Sequence, residues 1–263
     1  MMYLYAITDH PEAPAPSGLG LEGVSLCTLT YRDIAAVASP LATAEVPPTE
    51  ANLWQHETVI EALMADRTVL PVRFGTVLAN EAAVQAALAA HYADFVASLA
   101  RVRGQVELGL RVLWDDEEQR SRGAGEQGSE RDSPLHLRTS APLLSGSGRS
   151  YLLARLEEER QARAWRQQAE ALASELHIPL ARLARESTQQ VLITPRLLLT
   201  AAYLVERDRV VAFRREVEVL RTAHPALRFL CTGPWPPYSF VTDCVPETTA
   251  DPMRNNRHSL WEG

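Results

Sequence analysis

Apolar and polar positions along this chain follow two rhythms, one of period two and one of period near 3.6, and each marks an element. Met2 to Thr8 is aromatic and branched and runs into the Pro/Gly cluster His10 to Gly20, which predicts a strand and then a loop. Val24 to Tyr31 and Ile34 to Ser39 predict two further strands. Pro47-Pro48-Thr49 prepares a helix, with Thr49 as N-cap and Leu53, His56, Ile60 and Leu63 at helical spacing on one face. Thr68 to Leu78 is extended but holds Pro71 and Gly75, which predicts an edge strand or a bend. Asn80 caps one continuous helix whose apolar face is Val84, Leu88, Tyr92, Phe95, Leu99 and Val102, with Gly104 at its stop. Val106, Leu108, Leu110 and Val112 then alternate with Glu107, Gly109 and Arg111, as in a strand with one buried face. The simplest assembly is an antiparallel sheet covered by two helices on one face.

From Asp115 to Ser150 the apolar residues thin out to a few alanines and leucines, and no aromatic occurs. Such a stretch buries too little apolar surface to offset its ordering entropy, so it predicts a flexible linker. Tyr151 to about Ser187 is helical in character, with Leu152, Leu156, Trp165, Ala169, Leu172 and Leu176 along one seam, Glu159 interrupting it and Pro179 breaking it. Pairs such as Glu159 with Arg163 decorate its solvated face. Leu197 to Val205 predicts a strand, Val210 to Leu220 a helix ended by His224-Pro225, and Leu227 to Thr232 a last strand. The fold class is therefore α+β, in two domains, each a mostly antiparallel sheet packed with helices. The expected limits are 1–113 and 148–245, with a flexible linker at 114–147 and a disordered tail at 246–263.

Charge and chemistry narrow the function. The 263 residues hold 26 basic and 33 acidic side chains, a net charge of -7, so a polyanion is repelled overall and neither nucleic acid nor an acidic lipid surface is an expected partner. Every basic residue is arginine; the absence of lysine removes Schiff-base chemistry, the P-loop and the kinase nucleotide site. Cys27, Cys231 and Cys244 show neither C-x-x-C spacing nor a histidine pair, and they read as reduced thiols with no metal. With no leader-like start and no apolar run near 18 residues, the expected location is the cytoplasm. His56-Glu-Thr-Val-Ile60 misses a zinc-protease motif because Ile60 cannot ligate, and His56 reads as a hydrogen-bonded structural histidine. Arg73 reads as paired with Glu57 or Asp66, or as aimed at a partner carboxylate. The Gly146-Ser-Gly148 stretch is a weak phosphate cradle and reads better as a linker end or a helix entry. Gly233 to Phe240 combines three prolines with Trp235, Tyr238 and Phe240, which suits either a rigid turn closing a core or a partner surface.

The opening YLYAIT, the HETVIEAL to LPVRFGTVL region at 56–78, VELGLRV at 106–112, GRSYLLARLEEE at 148–159, AAYLVER at 201–207 and TGPWPPYSFV at 232–241 together resemble one family, the gas vesicle proteins GvpF and GvpL. The resemblance implies ferredoxin-like features in both domains and an accessory role in gas vesicle assembly, with no catalytic residues and no cofactor. It implies a partner in the main hydrophobic shell protein, GvpA, and other accessory proteins beside it, whether the chain assists transiently or stays as a minor vesicle component. A wall subunit that must expose apolar surface aggregates before assembly, and a soluble acidic protein covering that surface limits this during nucleation. The candidate partner-binding residues are Arg73, Phe74, Trp235, Tyr238 and Phe240. The rival reading is a small-ligand or enzymatic α+β protein using the His56/Glu57/Arg73 region.

Overall fold

A computed structural model describes residues 1–13, 18–114, 148–191 and 197–241. The expected linker, apart from Trp114, and the expected tail lie outside the described residues, as does Cys244. The chain divides into two compact units, the first made of Met1–Glu107 and Pro234–Gly263, the second of Leu108–Gly233. The second unit is thus an insertion within the first. The expected limits of 1–113 and 148–245 differ from this division at both crossings.

In the first unit β1 (Met2–Thr8) is central, with β3 (Ile34–Pro40) on one side and β2 (Cys27–Tyr31) beyond it. Its other edge is shared end to end by β4 (Val69–Pro71) and β5 (Val77–Leu78). The 68–78 stretch is therefore both an edge strand and a bend. Against β3, β1 shifts register between Leu4 and Ala6. Helix α1 (Glu50–Met64) starts at Thr49, whose hydroxyl accepts the Asn52 N–H at 3.3 Å. The continuous helix expected after Asn80 is two, α2 (Glu81–Ala90) and α3 (Tyr92–Val102), because His91 leaves helical geometry at φ -111. β1 and most of β3 are buried on both alternating sets of side chains. The cluster that holds Tyr3, Tyr5 and Val37 takes Val59, Ile60 and Leu63 from α1 and nothing from α2 or α3. One face of the sheet is thus covered by α1, and α2 and α3 pack on β2, β3 and β4 from the other. This corrects the expectation of two helices on one face: antiparallel sheets usually wet one side, and this one does not.

The second unit runs β6 (Gln105–Trp114), α4 (Gly148–Ala181), β7 (Glu186–Val191), β8 (Leu197–Glu206), α5 (Val210–Ala223) and β9 (Leu227–Trp235). The sheet order β7-β8-β6-β9 with this β-α-β-β-α-β succession is ferredoxin-like. The strand expected to complete the N-terminal sheet, 106–112, is instead an inner strand here, and its Leu108, Leu110 and Val112 face α4 and α5 residues Ala173, Leu176, Phe213 and Val217 in one core. Pro179 does not break α4 early; the helix ends at Ala181, within the same turn, so few hydrogen bonds remain to be lost. β7 was not expected, because Glu-Ser-Thr-Gln-Gln-Val has no apolar alternation. It forms against the apolar β8 in an antiparallel register from Glu186↔Leu204 to Val191↔Leu199. His177 fastens it: the buried Tyr203 hydroxyl lies 2.8 Å from Nδ1 and the Ser187 hydroxyl 3.3 Å from Nε2.

Candidate functional site

The candidate residues of the first unit are held by α1. His56 is buried, and burial lowers its pKa from 6.5 to about 4, so the ring is neutral. Its Nε2–H donates to the Val72 carbonyl at 3.1 Å, which leaves Nδ1 to accept from the Tyr3 hydroxyl at 2.9 Å. That hydroxyl accepts the Gly75 N–H at 3.2 Å. The relay clamps both ends of the 72–75 bend to α1 and β1, and Gly75 meets its φ of +86, which a residue with a Cβ resists. Phe74 lies edge-on to His56, ring centroids 5.6 Å apart, and 6.2 Å from Tyr3. Arg73 is exposed at the tip.

The next residue of α1, Glu57, holds the second segment. Tyr238 donates its hydroxyl to Glu57 Oε1 at 2.7 Å. Ser239 donates its N–H and its hydroxyl to Glu107, at 2.8 and 2.7 Å, and Arg101 donates to the Phe240 carbonyl. Burial raises the Glu57 and Glu107 carboxyls, and the Glu61 charge adds to the effect on Glu57. Burial and then the Glu57 carboxylate push the Tyr238 hydroxyl up, so it stays a donor. Pro236 and Pro237 are buried, and the turn is fixed at each of three successive residues. Trp235 and Tyr238 remain 41% and 37% exposed.

The family model described as gas vesicle synthesis protein GvpL/GvpF matches residues 1–242. The chain belongs to the GvpL/GvpF gas vesicle family. Gas vesicle protein L of a Streptomyces species is 33% identical over 261 residues, covering 92% of each chain. Gas vesicle protein F of the same Streptomyces is 29% identical, covering 91% of this chain and 98% of its own. The crystal structure of GvpF from an Anabaena species superposes with a TM-score of 0.69 at 22% identity, covering 92% of this chain and 95% of that one, which shows the fold.

For this GvpL/GvpF chain the structure sorts the candidate residues. It brings Phe74 and Tyr238 to consecutive positions of α1, His56 and Glu57, a convergence invisible in a sequence where they stand far apart. Phe240 is only 6% exposed and anchors the turn. Arg73 makes an interaction of its own within the chain, while Asp66 is engaged by Arg67 at 2.8 Å and Glu57 by Tyr238. His56, the central group of the rival ligand-site reading, has both ring nitrogens hydrogen-bonded inside the unit. Glu107, Ser239 and Arg101 were not singled out by the sequence. The signal for Glu107 was its polar place in the alternation of 106–112, but its partner follows more than a hundred residues later. Among the described residues no three His, Cys, Asp or Glu side chains are grouped to hold a metal, and no helix is long and apolar enough to cross a membrane.

Proposed function

We propose that this chain acts in the cytoplasm and at the growing vesicle by binding the main shell protein, GvpA, and limiting its aggregation during nucleation. The supporting observation is the pair of displays on α1: Arg73 and Phe74 on the clamped bend, Trp235 and the Tyr238 ring on the clamped turn. Aromatic area presented on a backbone already fixed loses little entropy when a partner covers it. The guanidinium beside it suits a carboxylate on that partner. Other gas vesicle accessory proteins would meet the same chain, as a subunit under escort must be handed on. The chemistry is contact without covalent change, so no residue is assigned a catalytic role.

Co-expression tests it. Soluble GvpA is expected to rise severalfold with this chain present, and to fall back with Trp235→Ala plus Arg73→Ala. Equal soluble yield with and without the chain would remove the escort reading. Undiminished yield with the double variant would remove this surface from it.

A further inference from the structure

Two exposed helix faces among the described residues complement each other. In α4 the seam expected from the sequence splits. Ala169, Ala173, Leu176 and Leu180 are buried in the second unit's core, whereas Leu152, Leu153 and Leu156 are 66%, 56% and 44% exposed. At about 100° per residue the exposed leucines centre roughly 150° around the helix from the buried set, so they do not continue the core stripe. Arg160 and Arg163 extend that exposed stripe at i+4 and i+7 from Leu156. Arg160 also lies 4.0 Å from Glu157, a solvated pair worth little.

Helix α1 carries the opposite pattern. Its buried face is His56, Val59, Ile60 and Leu63. Roughly 120° away runs an exposed stripe of Glu50, Leu53, Trp54 and Glu61, with the half-buried Glu57 among them, in a helix with no arginine or lysine. Trp54 is 66% exposed, more than any other described tryptophan or tyrosine.

We propose that the Leu/Arg stripe of α4 in one copy docks on the Trp/Glu stripe of α1 in a second copy of this chain. The spacing fixes the orientation. With the helices parallel, placing Leu156 on Leu53 and Trp54 sets Arg163 beside the exposed Glu61, about 10 Å further along both axes, and Arg160 beside Glu57, whose Oε1 already accepts from Tyr238. With the helices antiparallel the same leucine contact leaves only Glu50 for Arg160 and runs Arg163 past the start of α1. The interface joins two different surfaces, so it is head-to-tail and builds rings or chains of copies. Two stripes of about three turns bury less than a stable dimer needs, so association is weak and governed by local concentration. A growing vesicle site supplies that concentration, but the inference does not rest on shell-protein binding.

Sedimentation velocity on the full chain tests it, up to about 0.5 mM and at low and high salt. The mean mass should rise with concentration and fall in high salt, as exposed ion pairs are screened. Glu61→Arg alone and Arg163→Glu alone should each weaken association at least tenfold with unchanged circular dichroism. Mixing the two variants should restore it, because each copy then meets a complementary stripe on the other. A photo-crosslinker at position 156 should capture the peptide containing Leu53 and Trp54 of another copy. A monomer throughout the concentration range overturns the proposal, as does association indifferent to both substitutions, or a mixture no more associated than its parts. None of these outcomes bears on the GvpA co-expression result.

Discussion

Replacing His56 with glutamine turns the buried relay into a pH experiment. Glutamine can accept from Tyr3 and donate to Val72, but it cannot take a proton. In the wild type the folded ring has a pKa of about 4 against 6.5 unfolded, so between these values the unfolded chain binds more protons. The stabilisation is complete above pH 6.5 and is lost as pH falls toward 4. At about 1.4 kcal/mol per pH unit the loss comes to about 3 kcal/mol. Glu57 and Glu107 act with the opposite sign: their raised folded values favour the native state as pH falls. Comparing wild type with the His56→Gln variant at each pH cancels that contribution. At pH 7 the variant should be the less stable by about 1–2 kcal/mol, having lost the stacking of Tyr5 on the ring at 5.7 Å. Hydrogen exchange of the β1 amides, corrected for intrinsic rate, reads the opening of the first unit. The ratio of wild-type to variant protection should fall roughly 100-fold from pH 7 to pH 4. A ratio constant over that range, or a His56 NMR titration centred near 6.5, would refute the buried neutral relay.

Three further outcomes follow from packing and charge. A Cβ at Gly20 would fall on the Tyr5 hydroxyl and come within 3.1 Å of Leu26 and Ser39, so Gly20→Ala must break the 2.7 Å Leu21 N–H to Tyr5 bond. It should cost about 2–4 kcal/mol, and a thermal midpoint within a degree of wild type would contradict this. Glu57→Gln should be neutral or stabilising at pH 7, where the wild-type carboxylate bears its burial cost, and lose that advantage as pH falls through the raised folded value toward 4.5; melting curves at the two ends of the range check the sign. Leu176→Ala, at a site with 0% exposure, should destabilise the second unit by about 2–5 kcal/mol in urea unfolding, and a loss under about 1 kcal/mol would mean the α4 core is looser than drawn.

The sequence determined the local elements. Thr49 and Asn80 cap helices where a side-chain oxygen precedes an apolar period, and both cap bonds form. The strands at 2–8, 34–39, 106–112 and 197–205 were legible because each is apolar enough to be central in a sheet, and the family was legible in the TGPWPPYSFV turn. The break at His91 was not, since apolar spacing continues through it on both sides. β7 was hidden for the opposite reason: an edge strand borrows its order from its neighbour and needs no pattern of its own. Only the tertiary structure decided which sheet the 106–112 strand joins, because alternation says that a strand has a buried face but not which helices bury it. It alone also decided the site. Hydrogen bonds from 238–240 to Glu57, Arg101 and Glu107 join residues that share no periodicity, and Phe240 and Trp235, alike in sequence, part company as anchor and surface. Burial is a property of what the rest of the chain places around a residue, and no window along the sequence contains that.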